Sequence, residues 1–171
     1  TRRVDGKTMR CWRNHANGRH SNQTLAEARN NSCKPCCVDI ALCLGKETFY
    51  EYLESFGFGK STGIDFSGES QGMLIPESAV RDCDLARIGF GQSLAVSALQ
   101  LACASAAAVN GGYYFQPRLV KSVSSADGEM TADFEPVLKT RTVRGEDSRL
   151  LASSLEGVGE KGSGKNAEST S

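Results

Sequence analysis

Between Ala98 and Val109 only Gln100 and Ser105 are polar. Leu99, Ala102, Cys103, Ala106 and Val109 share one helical face, and Leu101, Ala104 and Ala108 coat the others. A helix apolar on every side belongs inside a core, so this segment is predicted to lie at the centre of the molecule. Ser97 and Gln100 have the spacing of a capping box at its start. Asn110-Gly111-Gly112 supply left-handed residues at its end. The run is too short and too polar to cross a bilayer.

Upstream, Thr24 and Glu27 form a second capping-box pattern that opens a short helix ending near Asn30. Asn31 to Pro35 break it, and Pro35 suits the first turn of the next helix. There Cys37, Ile40, Ala41 and Leu44 repeat at helical spacing until Gly45. A third helix places Phe49, Tyr52, Leu53 and Phe56 on one face and stops at Gly57. Two amphipathic helices joined at one glycine predict an antiparallel pair.

Residues 1 to 20 read as a loop or short hairpin, and residues 58 to 76 as ordered loop with a short strand at Ile64-Asp65-Phe66. Tyr113 to Val123 and Val137 to Val143 read as strands, with a hairpin turn at Asp127-Gly128. Glu146 to Val158 is a last helix, with Leu151, Ser154, Leu155 and Val158 facing inward. The helices precede most strands, which predicts an α+β fold, mostly helical, with a few antiparallel strands in the C-terminal half.

Composition narrows the function. Twenty basic and twenty acidic residues cancel, so nothing draws the chain toward nucleic acid. Polar ends and the lack of an initiator Met suggest that both termini are cuts in something longer. Seven cysteines at irregular spacing argue against a disulfide scaffold. Cys33-Lys34-Pro35-Cys36 is a C-x-x-C at a helix start. With Cys11, His15 and His20 it defines an alternative reading, a small metal-binding or thiol-redox module. Gly57-Phe58-Gly59-Lys60-Ser61 fails as a phosphate loop, because Glu54 occupies the position of the first glycine. Gly89 to Ser93 fits neither a dinucleotide fingerprint nor a nucleophile elbow.

A longer pattern remains. It runs through Gln23-Thr24-Leu25-Ala26-Glu27-Ala28, Asn31-Ser32-Cys33, Leu44-Gly45-Lys46-Glu47 and Phe56-Gly57-Phe58-Gly59. It continues through Thr62-Gly63-Ile64-Asp65, Ile88-Gly89-Phe90-Gly91-Gln92, Asn110-Gly111-Gly112, Pro117-Arg118-Leu119-Val120, Leu155-Glu156-Gly157-Val158 and Gly162-Ser163-Gly164-Lys165-Asn166-Ala167. In order and spacing this resembles the transpeptidase domain of class B penicillin-binding proteins, of the division and sporulation type found in Gram-positive anaerobes.

The resemblance implies a serine β-lactamase-like fold and three site motifs. These are an S-x-x-K with nucleophile and activating lysine, an S-x-N, and a K-T-G on a strand. The sequence contains neither S-x-x-K nor K-T-G. Only the middle motif is matched, by Ser32-Cys33-Lys34, with Lys34 where Asn is expected. Residues 1–171 are therefore expected to be an incomplete single transpeptidase domain, lacking the upstream nucleophile motif and the downstream K-T-G strand. The implied site residues are Ser32 and, at the position of the expected Asn, Lys34. The implied partners are peptidoglycan stem peptides, β-lactams, and division or sporulation proteins. No metal or cofactor is implied. The location is the cell membrane, with the anchor outside this segment and the catalytic domain on the extracytoplasmic side. The segment alone is expected to be inactive, and a decayed, non-catalytic family member is a further alternative.

Overall fold

The computed structural model describes residues 1–11 and 22–162. Trp12, His15, His20 and the stretch Ser163 to Ala167 lie outside the described residues. The chain forms two compact units.

The first unit comprises Thr1–Glu51, Leu74–Leu94 and the chain from Leu150 onward. Strands β1 (Arg2–Val4) and β2 (Lys7–Met9) form an antiparallel hairpin. Its turn residues Asp5 and Gly6 both have positive φ, 45° and 72°, the backbone that a two-residue hairpin turn needs. Helices α1 (Leu25–Asn30), α2 (Lys34–Leu44) and α3 (Lys46–Ser55) follow. The Thr24–Glu27 capping box is present in both directions, and Pro35 stands in the first turn of α2 as expected.

Helix α2 packs on α4 (Asp82–Ile88), an element that the sequence pattern did not single out. The expected pairing of α2 with α3 is thereby replaced. The contact is close because it lacks side-chain bulk: a Cβ on Gly89 would lie 2.6 Å from the Ala41 Cβ. Met9, Val38, Cys83 and Ala86 form the buried cluster between hairpin, α2 and α4, with Val4, Leu42 and Phe90 around it. The inward face of α2 thus runs through Val38 and Ala41, while Ile40 and Leu44 are exposed. The hairpin also caps α4, since Asp5 accepts the Cys83 N–H at 3.0 Å. Asp84 is buried, and Arg81 donates to it at 3.0 Å and holds its carboxyl below the ordinary carboxylate range against the effect of burial.

The second unit comprises Tyr52–Met73 and Ala95–Arg149. Two-residue strands β3 (Met73–Leu74) and β4 (Leu94–Ala95) lie at the unit boundaries. Helix α5 (Ala98–Val109) carries the predicted capping box at Ser97. Its role differs from the expectation. Leu101 is 54% exposed and Val109 49%, while Gln100, Ala104 and Ala107 are buried. The helix is apolar all round, but only its face of small residues plus Gln100 is covered, so it is not the centre of a core.

Gln100 is fully buried and satisfied. Its side-chain carbonyl accepts the Ser97 N–H at 2.8 Å. Its Nε2 donates to Lys60 O at 2.8 Å and Gln71 O at 3.1 Å. One side chain thereby pins the 58–72 loop, in which the predicted strand at Ile64–Phe66 does not form. Gly57, at φ 82°, ends α3 where a Cβ would meet the Tyr114 ring and hydroxyl.

The strand predicted from Tyr113 to Val123 is two shorter ones. Strand β5 (Tyr113–Phe115) pairs antiparallel with β8 (Leu138–Arg141). Strand β6 (Ser122–Ser124) pairs with β7 (Met130–Asp133) across the Asp127-Gly128 turn. Pro117 and Arg118 lie between them, and a proline cannot donate to a ladder. Helix α6 (Gly145–Lys161) is longer than predicted. Ser148 is buried, donates to Ala108 O at 2.8 Å and accepts the Gly111 N–H at 2.9 Å. Leu151 and Leu155, expected to face inward, are exposed. The fold is α+β, as predicted.

Candidate active-site corner

The sequence-predicted site residues sit where α1 turns into α2. Helix α1 ends in a Schellman turn: Ser32 N–H donates to Arg29 O at 2.9 Å and Cys33 N–H to Ala28 O at 2.8 Å. That motif requires a left-handed residue, usually glycine, and here it is Ser32, with φ 49°. Ala28 and Cys33, the two positions at which this motif carries apolar residues, are 4% and 3% exposed. Ser32 itself is exposed. The turn thus anchors its flanks in the interior and presents the serine at the corner. Asn31 is tied to Gln23 by an amide hydrogen bond of 2.8 Å.

Lys34 is the first residue of α2 and is half-buried. Its ammonium lies 5.6 Å from the centroid of the Phe90 ring, a cation–π contact. Phe90 occupies the turn after α4, where Gly91 adopts φ 81° and Gln92 N–H donates to Arg87 O at 2.9 Å. Ser32 and Lys34 therefore share one corner, and Lys34 is directed onto the aromatic ring. The sequence pattern gave Phe90 as part of a matching stretch but assigned it no contact. Its position between Gly89 and Gly91 was the available signal, since glycines flanking one aromatic mark a tight turn that displays it.

Three cysteines, Cys11, Cys33 and Cys36, meet at the same corner. Burial raises the affinity of Cys33 for its proton, but the Cys36 amide, the Gln23 side chain and the thiols of Cys36 and Cys11 face its sulfur and lower the pKa overall. Burial and the neighbouring Cys33 push Cys36 up to about 11. Among the described residues no group of three His, Cys, Asp or Glu side chains is arranged to hold a metal ion. Elsewhere, an open depression of about 440 Å³ in the second unit is lined by Tyr52, Arg141, Thr142, Val143, Arg144 and Asp147. Its Arg144 is already paired with Asp147 and Glu146 at 2.8 Å each.

A family model for the penicillin binding protein transpeptidase domain matches residues 2–171. The chain belongs to this transpeptidase family. It is 37% identical over 165 residues to the Stage V sporulation protein D of Bacillus subtilis, covering 96% of this chain and 25% of that protein. It is 33% identical over 119 residues to penicillin-binding protein PbpB of Mycolicibacterium smegmatis, covering 70% of this chain and 18% of the relative. The chain thus spans about a quarter or less of these relatives.

Solved structures agree. A peptidoglycan synthetase from Bifidobacterium adolescentis superposes with a TM-score of 0.79 at 26% identity, over 92% of this chain and 28% of that one. The D,D-transpeptidase domain of a peptidoglycan glycosyltransferase from Eggerthella lenta gives 0.76 at 25% identity, over 86% and 39%. The fold is accordingly that of penicillin-binding transpeptidases. Membership overturns the alternative of a separate small metal or redox module, because Cys33 and Cys36 lie within the transpeptidase domain. Among the described residues no helix is long and apolar enough to cross a membrane.

Proposed function

We propose that the protein containing this chain is a serine D,D-transpeptidase of peptidoglycan. A nucleophilic serine is acylated by a D-alanyl-D-alanine stem peptide and releases D-alanine. An amine of a neighbouring stem then resolves the acyl-enzyme, and β-lactams acylate the same serine. The observation that carries this reading is the family match over residues 2–171. Residues 1–171 are one incomplete transpeptidase domain in this reading. Its S-x-x-K and K-T-G come from sequence outside these residues. Ser32 is the hydroxyl of the middle motif, and Lys34 stands in for its Asn. The catalytic domain works outside a cytoplasmic membrane to which a separate segment anchors it, alongside division or sporulation proteins.

The test is covalent labelling of the full-length protein by a fluorescent penicillin. We expect a label that survives denaturation, is lost when the S-x-x-K serine is changed to Ala, and forms more slowly in Ser32→Ala. The 171-residue chain alone should take no label. Failure of the full-length protein to label would overturn the reading. It would favour a decayed member that only binds partners, for which the one supporting observation is Lys34: a lysine offers donors but no acceptor, so it cannot hold a substrate N–H as an asparagine does.

A further inference from the structure

Helix α4 ends in a turn of the same kind as the one that displays Ser32. Gln92 N–H donates to Arg87 O and Gly91 N–H to Ile88 O, each at 2.9 Å, around the left-handed Gly91. One helix end thus presents a serine and the other presents Phe90. Lys34 links them, with its ammonium 5.6 Å from the Phe90 centroid. Other cations of the first unit are paired with carboxylates, Arg2 with Asp39 at 2.6 Å and Arg81 with Asp84 at 3.0 Å. Lys34 forms no salt bridge among the described residues, and the first turn of α2 holds no acidic residue. An aromatic face attracts an ammonium without cancelling its charge. The ring covers one side of the group, and the half-buried side chain keeps donors for a ligand.

We propose that Lys34 is a specificity residue that favours acyl donors carrying a free carboxylate beside the amide that the middle motif faces. The inference deepens the transpeptidase reading and rests on it. An asparagine at this position offers a carbonyl and an amide to a neutral peptide group, whereas a lysine offers three donors, a full charge and no acceptor. Loss of the acceptor penalises every acyl donor alike. The charge offsets that loss only for a donor that brings a carboxylate. An ammonium is a compact point charge without the planar fork of a guanidinium, so it recognises the carboxylate by proximity. Phe90 is the positioning residue, because its ring restrains the flexible stem of Lys34 at the corner. The substrate class is an acidic stem peptide, as against one whose corresponding carboxyl is amidated.

The test compares benzylpenicillin with its α-carboxy derivative, which differ by one carboxylate next to the side-chain amide. Second-order acylation rates of the full-length protein are measured by competition with a fluorescent penicillin. The quantity read is the ratio of the α-carboxy rate to the benzyl rate, in which a general loss of folding or of the acceptor cancels. We expect this ratio to be about fivefold higher in the parent than in Lys34→Asn, the effect of one charge pair at about 4 Å in water. Lys34→Arg should keep the preference and Phe90→Leu should reduce it. Raising salt from about 0.05 to about 0.5 M should erase most of the preference in the parent and leave Lys34→Asn unmoved. An equal ratio in the parent and Lys34→Asn, a preference insensitive to salt, or a Lys34→Arg variant that matches Lys34→Asn would overturn the inference and leave the transpeptidase reading standing. An unchanged ratio in Phe90→Leu would overturn the positioning role. If neither penicillin labels the full-length protein, the transpeptidase reading falls and takes this inference with it.

Discussion

Gln100→Leu is expected to destabilise the chain although it makes α5 more apolar, leaving Ser105 as its one polar residue. The native amide is buried and serves three backbone groups, the Ser97 N–H and the carbonyls of Lys60 and Gln71. Leucine fills similar space but leaves all three without their partner. At about 0.5–1.5 kcal/mol net per hydrogen bond, the loss is about 2–4 kcal/mol, and a buried methyl offsets about 1 kcal/mol at most. A net cost near 1–3 kcal/mol corresponds to a fall in Tm of about 2–12 °C for a chain of this length.

Gln100→Glu provides the sharper arm. It keeps the acceptor for Ser97 but turns an anionic oxygen toward two carbonyls. The folded state then holds the glutamate proton more tightly than the unfolded chain does, whose pKa is about 4.3. The folded form binds more protons, so stability falls as pH rises from about 4.3 through the raised folded value. The assay is urea unfolding followed by circular dichroism at several pH values. A Gln100→Leu variant within about 0.5 kcal/mol of the parent, or a Gln100→Glu variant whose penalty is constant with pH, would refute the role assigned to Gln100.

Gly89→Ala should cost about 1–3 kcal/mol by overpacking, because the new Cβ would meet Ala41 at 2.6 Å; adding Ala41→Gly should recover part of the loss in the same unfolding assay. Leu101→Ala, at a site 54% exposed, should cost well under the about 2–5 kcal/mol of a buried leucine, and a loss within that range would show that this face is covered. Ser32→Gly should be more stable than Ser32→Ala by about 1 kcal/mol, since both remove the hydroxyl and only alanine keeps a Cβ at φ 49°; equal stabilities would show that the turn carries no left-handed strain. In the full-length protein Lys34→Asn should raise the second-order rate of acylation by penicillin, and an unchanged or slower variant would make Lys34 an adapted catalytic residue.

What was legible in the sequence was local. Both capping boxes, the proline in the first turn of α2 and the Asp127-Gly128 turn rest on side chains acting within four residues, and each formed as predicted. What was not legible depends on partners distant in the chain. The face of α2 was assigned by periodicity to Cys37, Ile40, Ala41 and Leu44, but its neighbour is α4, and the approach permitted by Gly89 keeps Ala41 inside, adds Val38 and leaves Ile40 and Leu44 exposed. The same holds for α5. A run apolar on all sides says that burial is favourable everywhere and does not say which side is covered. The residue that decided it was the polar one, because an amide can leave water only where several backbone groups converge on it, and Gln100 is where the 58–72 loop does so.

The site corner obeys the same division. Ser32-Cys33-Lys34 stood out as a motif, but its geometry follows from a helix ending and not from the motif itself. A Schellman turn needs one left-handed residue and an apolar anchor on either side, and glycine would meet the first need at less cost. Serine at that position accepts strain in return for a hydroxyl displayed at the corner, and strained, left-handed non-glycine residues concentrate at functional sites. The strain is thus an argument for function independent of family resemblance. Cys33 carries the anchor on one side of that serine, so its thiol is buried for a structural reason, and the Cys36 thiol one helical turn away meets it as a consequence of where the corner had to be pinned.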